Sequence, residues 1–244
     1  MKPIIDFGFD NLLVSGCSFT STNDPENPSW PHHLREMAGF NNLIDLSCSG
    51  AGNTHIHHSV IWELERNKEL NPSNTFIVIM WSGYDRDDII VDPIAIDQAH
   101  GSQYQYAPDA WLAITGGVGG VSNTIISIDA VKKIKNLTSR SIENYVLITG
   151  LYHYLTSRGF RFVFTEFATP TSEYDLNFEP TVYLGDLAES FRNLVRQVQP
   201  NLGDYSAVGS RPNRHPAPDD YESWCRSVLI PYIKQTLATD PYTV

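Results

Sequence analysis

Leu12-Leu13-Val14-Ser15-Gly16-Cys17-Ser18-Phe19-Thr20 decides how this chain is read. A short apolar run ends in Gly-Cys-Ser and gives way to polar and turn-forming residues. That is the pattern of a buried first strand delivering one small hydroxyl at its carboxyl end. In an open parallel sheet, ligands bind at that edge. Ser18 is therefore the first candidate functional side chain. A lone serine after a strand is more often a turn residue or a helix cap, so its role depends on what else the chain brings to the same edge.

Downstream, Asn42-Leu43-Ile44-Asp45-Leu46-Ser47 reads as a second strand running into Cys48-Ser49-Gly50-Ala51-Gly52-Asn53. Between the two strands a helical pattern from Trp30 to Ala38 stops at Gly39. A second helix is expected over about 54–67, where Ile56, Val60, Ile61 and Leu64 share one face. Thr75-Phe76-Ile77-Val78-Ile79-Met80-Trp81 is the most apolar run and predicts a central strand buried on both faces. A helix over about 142–157 ends at Gly159 and leads into a strand over 160–167. A helix is expected over 187–198, stopped by Pro200, and a last one from Pro218 to about Leu237. Strands alternating with helices predict a mostly parallel sheet covered on both faces, a three-layer α/β/α fold.

Residues 87–140 break the alternation. Tyr104, Tyr106, Trp111 and the run Thr115-Gly116-Gly117-Val118-Gly119-Gly120 suggest an insertion, a lid or one wall of a site, within a single domain spanning residues 1–244. The glycine run is not a phosphate loop, since no Lys-Ser/Thr ending follows it.

Composition narrows the function classes. At 244 residues, 41% hydrophobic and 18% charged, the chain is long enough for one sizeable core. A formal charge of −11 argues against nucleic acid and anionic membranes as partners, because both need a basic face. No secretory signal is visible and no apolar run approaches the roughly 20 residues of a spanning helix, so a cytoplasmic or virion-associated protein is expected. Cys17, Cys48 and Cys225 lack metal-ligand spacing and read as free thiols in a reducing compartment. His55, His57 and His58 look like a metal cluster on paper. On a helix, however, His55 and His57 point about 200° apart, so surface histidines are expected and no metal or cofactor is called for.

Four stretches fall at predicted strand ends or on the last loop. They are Gly16-Cys17-Ser18-Phe19-Thr20, Ser49-Gly50-Ala51-Gly52-Asn53, Trp81-Ser82-Gly83-Tyr84-Asp85-Arg86 and Asn213-Arg214-His215-Pro216. In a doubly wound sheet such ends converge on one crevice. Serine is a poor nucleophile until a base takes its proton, and the His215 imidazole titrates in the right range to do so. The tetrahedral intermediate needs donors for its oxyanion, typically worth about 3 kcal/mol each. Gly50 and the Ser18 amide are the best candidates, with Asn53 able to add a carboxamide from the start of the next helix.

These blocks resemble the SGNH hydrolases of the GDSL esterase/lipase superfamily, in particular a branch carried by bacteriophages and environmental bacteria. Gly16-Cys17-Ser18-Phe19 matches the first block with Ser18 as nucleophile, and Gly50 takes the place of the oxyanion glycine. Gly83-Tyr84-Asp85-Arg86 falls on the third block and His215-Pro216 on the last. The resemblance spans about residues 10–235. It implies a flavodoxin-like five-stranded sheet and a serine esterase, one that removes an acetyl group from a carbohydrate or small ester without metal or organic cofactor.

Two positions depart from the pattern. Asp85 stands where the family carries its oxyanion asparagine, and a carboxylate there repels developing negative charge unless it is neutralised or turned to Arg86. Pro212 stands where the acid of Asp-x-x-His belongs, with Asn213 two residues before His215. Orienting the imidazole then falls to a backbone carbonyl or to a distant acid such as Asp204 or Glu166. Cys17, Asp85, Arg86 and Asn213 are expected to line the site, with Cys17 as an alternative nucleophile. The competing expectation is a degenerate family member that binds glycans or builds a structure, such as a virion component, as a homo-oligomer or virion assembly.

Overall fold

The computed structural model describes residues 3–21, 27–83, 86–91, 110–115, 137–166 and 216–239. In chain order the elements are β1 (Asn11–Ser15), α1 (Trp30–Ala38), β2 (Asn42–Asp45), α2 (Asn53–Arg66), β3 (Thr75–Trp81), β4 (Arg86–Val91) and β5 (Ala110–Thr115). They continue with α3 (Leu137–Ser157), β6 (Arg161–Glu166), α4 (Pro218–Trp224), a π-helical turn (Cys225–Leu229) and α5 (Ile230–Thr239). The main sheet is parallel with order β2-β1-β3-β6. Among the described residues it has four strands, not the five that the resemblance implies. Four is also the number of apolar runs legible in the sequence; the expected helix over 187–198 lies outside the described residues.

β3 shows why the fold has three layers. All seven of its residues are buried, and successive side chains point to opposite faces of a strand. Phe76, Val78 and Met80 join Leu12 and Val14 beneath α1 and the C-terminal helices. Ile77, Ile79 and Trp81 join Leu13 beneath α2 and α3. A central strand apolar on both sides thus sorts helices to both faces, as expected for a parallel sheet.

Helix ends fall where the sequence puts its punctuation. α1 closes on Gly39 at φ +74, and α3 is followed by Gly159 at φ +75, both in the left-handed region where glycine pays no Cβ penalty. The C-terminal helices are fastened to α1 through the fully buried Trp30 and Trp224, whose rings meet edge to face with centroids 5.9 Å apart. The Cys225 thiol donates to the Trp30 carbonyl at 3.4 Å. Burial, reinforced by the Glu222 charge, pushes that thiol well above its usual range, so it packs as a neutral group.

The segment expected as an excursion begins as an antiparallel ribbon, with Arg86 opposite Thr115 and Asp88 opposite Ala113. Sequence pattern missed these strands because β4 opens on Arg86-Asp87-Asp88, charges that break alternation. Residues 92–109 and 116–136 lie outside the described residues, and with them Tyr104, Tyr106 and the glycine run. Among the described residues no helix is long and apolar enough to cross a membrane.

Candidate active site

Three turns leave β1, β2 and β3 at the carboxyl edge of the sheet. After β1 the amides of Thr20 and Ser21 both bond to the Cys17 carbonyl at 2.9 Å, closing a turn that carries Ser18, which is half-buried. Thr20 is fully buried and anchors this turn. Its hydroxyl receives the Trp30 indole N–H at 3.3 Å and its carbonyl receives the Ser29 hydroxyl at 2.5 Å. The turn bearing Ser18 is thereby tied to the first residue of α1, and through Trp30 to Trp224 at the end of α4. Pro216, adjoining His215, is buried just ahead of α4.

The turn after β2 is held against the first by an extension of the parallel ladder. Leu46 N–H donates to the Val14 carbonyl at 2.9 Å and Cys48 N–H to the Gly16 carbonyl at 3.0 Å, so pairing continues past the end of both strands. The Ala51 amide then bonds back to the Cys48 carbonyl at 3.0 Å, closing a tight turn whose third residue is Gly50 at φ +84. A positive φ at that place demands glycine. Gly50 is thus fixed by backbone geometry. Cys17 and Cys48 both pack into the apolar cluster on the α2 side, Cys17 fully buried.

Asn53 is spent on the fold. Its Nδ2 donates to the Ser82 carbonyl at 3.0 Å and to Asn144 Oδ1 at 2.5 Å, while its Oδ1 accepts the Ser82 amide at 2.8 Å. With two protons and two acceptors engaged, the carboxamide joins the second turn to the end of β3 and to α3 and has no proton left for an oxyanion. Its expected oxyanion role is therefore replaced by a clamping one. The side chain is 3% exposed.

Ser82 and Gly83 continue from β3 at the same edge. Glu166 ends β6 opposite Trp81 and is 6% exposed. By strand alternation it shares the α3 side of the sheet with Phe162 and Phe164, whereas α4, which follows His215, packs on the other side. His215, Asn213, Asp85 and Asp204 lie outside the described residues, as does the side chain of Arg86.

The histidines of α2 are not on the surface as a group. His55 is 2% exposed and His57 half-buried, while His58 is exposed. Amphipathic spacing missed this because the N-terminus of α2 is covered by β4 and by α3, where Gly150 leaves room for the His57 ring: a Cβ there would stand 3.3 Å from Nε2. Burial, with the His58 charge adding to it, lowers both His55 and His57 to about 4. The sign follows directly. An unfolded histidine titrates near 6.5, so between pH 6.5 and 4 the unfolded chain takes up protons that the folded one refuses, and stability falls as pH falls through that window. The loss reaches on the order of 3 kcal/mol for His55 and less for the more solvated His57. Urea titrations at stepped pH should show it, and His55→Gln should flatten the slope between pH 6.5 and 4.5 by about one proton. An unchanged slope would mean that His55 is not held neutral.

Sequence reasoning found the turns but missed the groups that hold them. Asp88 is the main one: its Oδ2 accepts the Gly52 amide at 2.6 Å, and both its oxygens lie 3.1 Å from the His55 amide. Two adjacent acids opening a strand gave a signal of charge, with nothing to say that one of them caps a helix far upstream.

No family model matches the chain and no curated protein matches it. Solved structures with a similar trace include the Bacillus subtilis protein YxiM, at 8% identity and TM-score 0.47, where 96% of this chain covers 58% of that one. The psychrotrophic esterase EstA from Pseudoalteromonas sp., solved with monoethylphosphonate as inhibitor, aligns at 13% identity and TM-score 0.48 over 94% of this chain and 100% of its own. TesA aligns at 12% identity and TM-score 0.47, over 93% and 99% respectively. At these values the likeness carries nothing about chemistry.

Proposed function

We propose that this chain is a serine ester hydrolase of the SGNH kind, acting on an acetylated carbohydrate or another small ester. The observation that supports it most is the ladder extension from Cys48 N–H to the Gly16 carbonyl, which sets the turn bearing Ser18 beside the turn bearing Gly50. In this reading Ser18 Oγ attacks the acyl carbonyl while His215 takes its proton. The oxyanion is received by the backbone N–H groups of Ser18 and Gly50, with Asn53 holding the second turn in register. His215 then protonates the leaving alcohol, and water, deprotonated by the same imidazole, releases the acid and restores Ser18.

The departures at Asp85 and Pro212 favour one other reading, a fold-preserving relative that binds glycans or assembles without turnover. A fluorophosphonate probe separates the two, since it forms a covalent bond only with an activated serine. Under the esterase reading, peptide mass mapping should find the adduct on Ser18. No adduct, together with saccharide binding or a stable assembly, would establish the second reading; an adduct on another serine would reassign the nucleophile.

A further inference from the structure

We infer that Asp88, on the ribbon that interrupts the alternating fold, is a positioning residue for the oxyanion turn of the proposed esterase, acting through the backbone of Gly52 and His55. The inference rests on that functional reading and adds a component that none of the four sequence blocks contains.

The first turn of a helix leaves its amides without partners inside the helix. α2 has no means of serving them from its own start, because Gly52 stands at the N-cap and has no side chain. Asp88, 5% exposed, supplies the missing acceptor from another element: one carboxylate takes the N-cap amide and the amide of the third helical residue. That is the work of a capping box, done by a strand more than thirty residues downstream. The carboxylate also answers the positive end of the helix.

The position of the capped residues makes this more than a stability device. The turn from Cys48 to Gly52 is fastened at its start by the Gly16 carbonyl and at its end by Asp88. Gly50, at φ +84, lies between the two fastenings. Asn53 keeps α2 joined to β3 and α3 in any case. Removing the carboxylate therefore loosens the turn while leaving the helix docked. The ribbon, whose pairing of Asp88 with Ala113 holds that carboxylate in place, becomes part of the machinery.

The test is Asp88→Ala in the full chain, with nitrophenyl acetate as substrate. The expected result is a kcat about 30-fold lower with KM little changed, since misplacing a donor by a fraction of an ångström costs rate before it costs binding. Formate added at high millimolar concentration should restore much of the loss by occupying the space between the Gly52 and His55 amides; benzoate, too large for it, should not. Hydrogen exchange gives a readout independent of turnover: the amides of Gly52 and His55 should exchange faster in the variant and slow again with formate. Unchanged kcat, or a fall that formate does not reverse and that follows the unfolding midpoint, would overturn the inference. A wild-type chain that hydrolyses no ester overturns the esterase reading instead, and the exchange result then decides the clamp by itself.

Discussion

Ser18→Ala is expected to lower kcat for a short-chain nitrophenyl ester by roughly 10⁴-fold or more, leaving only what binding and the backbone donors supply without a nucleophile. The size of the effect follows from the division of labour proposed for the site. Attack, proton transfer and oxyanion binding act as one unit, so losing the attacking atom also idles the imidazole and the donors. The fold should not suffer. Ser18 is half-buried within a turn, and that turn is held by the Cys17 carbonyl, the Gly16 carbonyl and the Thr20 hydroxyl. An unfolding midpoint within a few degrees of wild type, corresponding to under about 1 kcal/mol, is the matching expectation. Steady-state kinetics with a thermal melt on the same preparation checks both. Full activity in the variant would remove Ser18 from the chemistry, and a collapse of stability would turn it into a structural residue.

How far the sequence carries can be judged residue by residue. β3 was legible because being buried on two faces forces an unbroken apolar run, and α1 because Gly39 marks its end with a conformation only glycine takes easily. At Gly50 the residue type alone marks a turn, and the backbone there takes the positive φ that glycine suits. Asp88 and Asn144 were not, since each acts on a partner brought near by the fold alone, and pattern reading has no term for such pairs. His55 shows the opposite error. Helical spacing put it off the apolar face correctly, yet a second element covers that face, so a side chain expected in water is held neutral in the interior. The carboxamide of Asn53 marks the same limit: residue type and location suggested a donor to substrate, while its neighbours take every proton it has.

The turn bearing Ser18 has one further requirement, and Gly16→Ala tests it. Gly16 has no need of a left-handed backbone; what it needs is space. A Cβ at that position would stand 2.1 Å from Thr20 Oγ1, 2.8 Å from Thr20 Cβ and 3.1 Å from the Met80 carbonyl. Turning the Thr20 side chain relieves the first contact but not the second, because Cβ is fixed to the backbone, and the hydroxyl is already engaged by the Trp30 indole. The turn itself must move, and it carries Ser18. A loss of about 3 kcal/mol in stability is expected, at the upper end for overpacking a rigid site. Under the proposed mechanism a fall in kcat of about a hundredfold should accompany it, since Ser18 moves relative to Gly50. Adding Thr20→Ala removes the worst clash and should recover part of both. The double variant should then cost less than the sum of the singles by about 1 kcal/mol or more, the sign of direct contact between the two sites. Strict additivity in urea unfolding would show that the two side chains do not meet. An unperturbed Gly16→Ala variant would show that the turn after β1 has slack that the packing of Thr20 and Met80 does not allow.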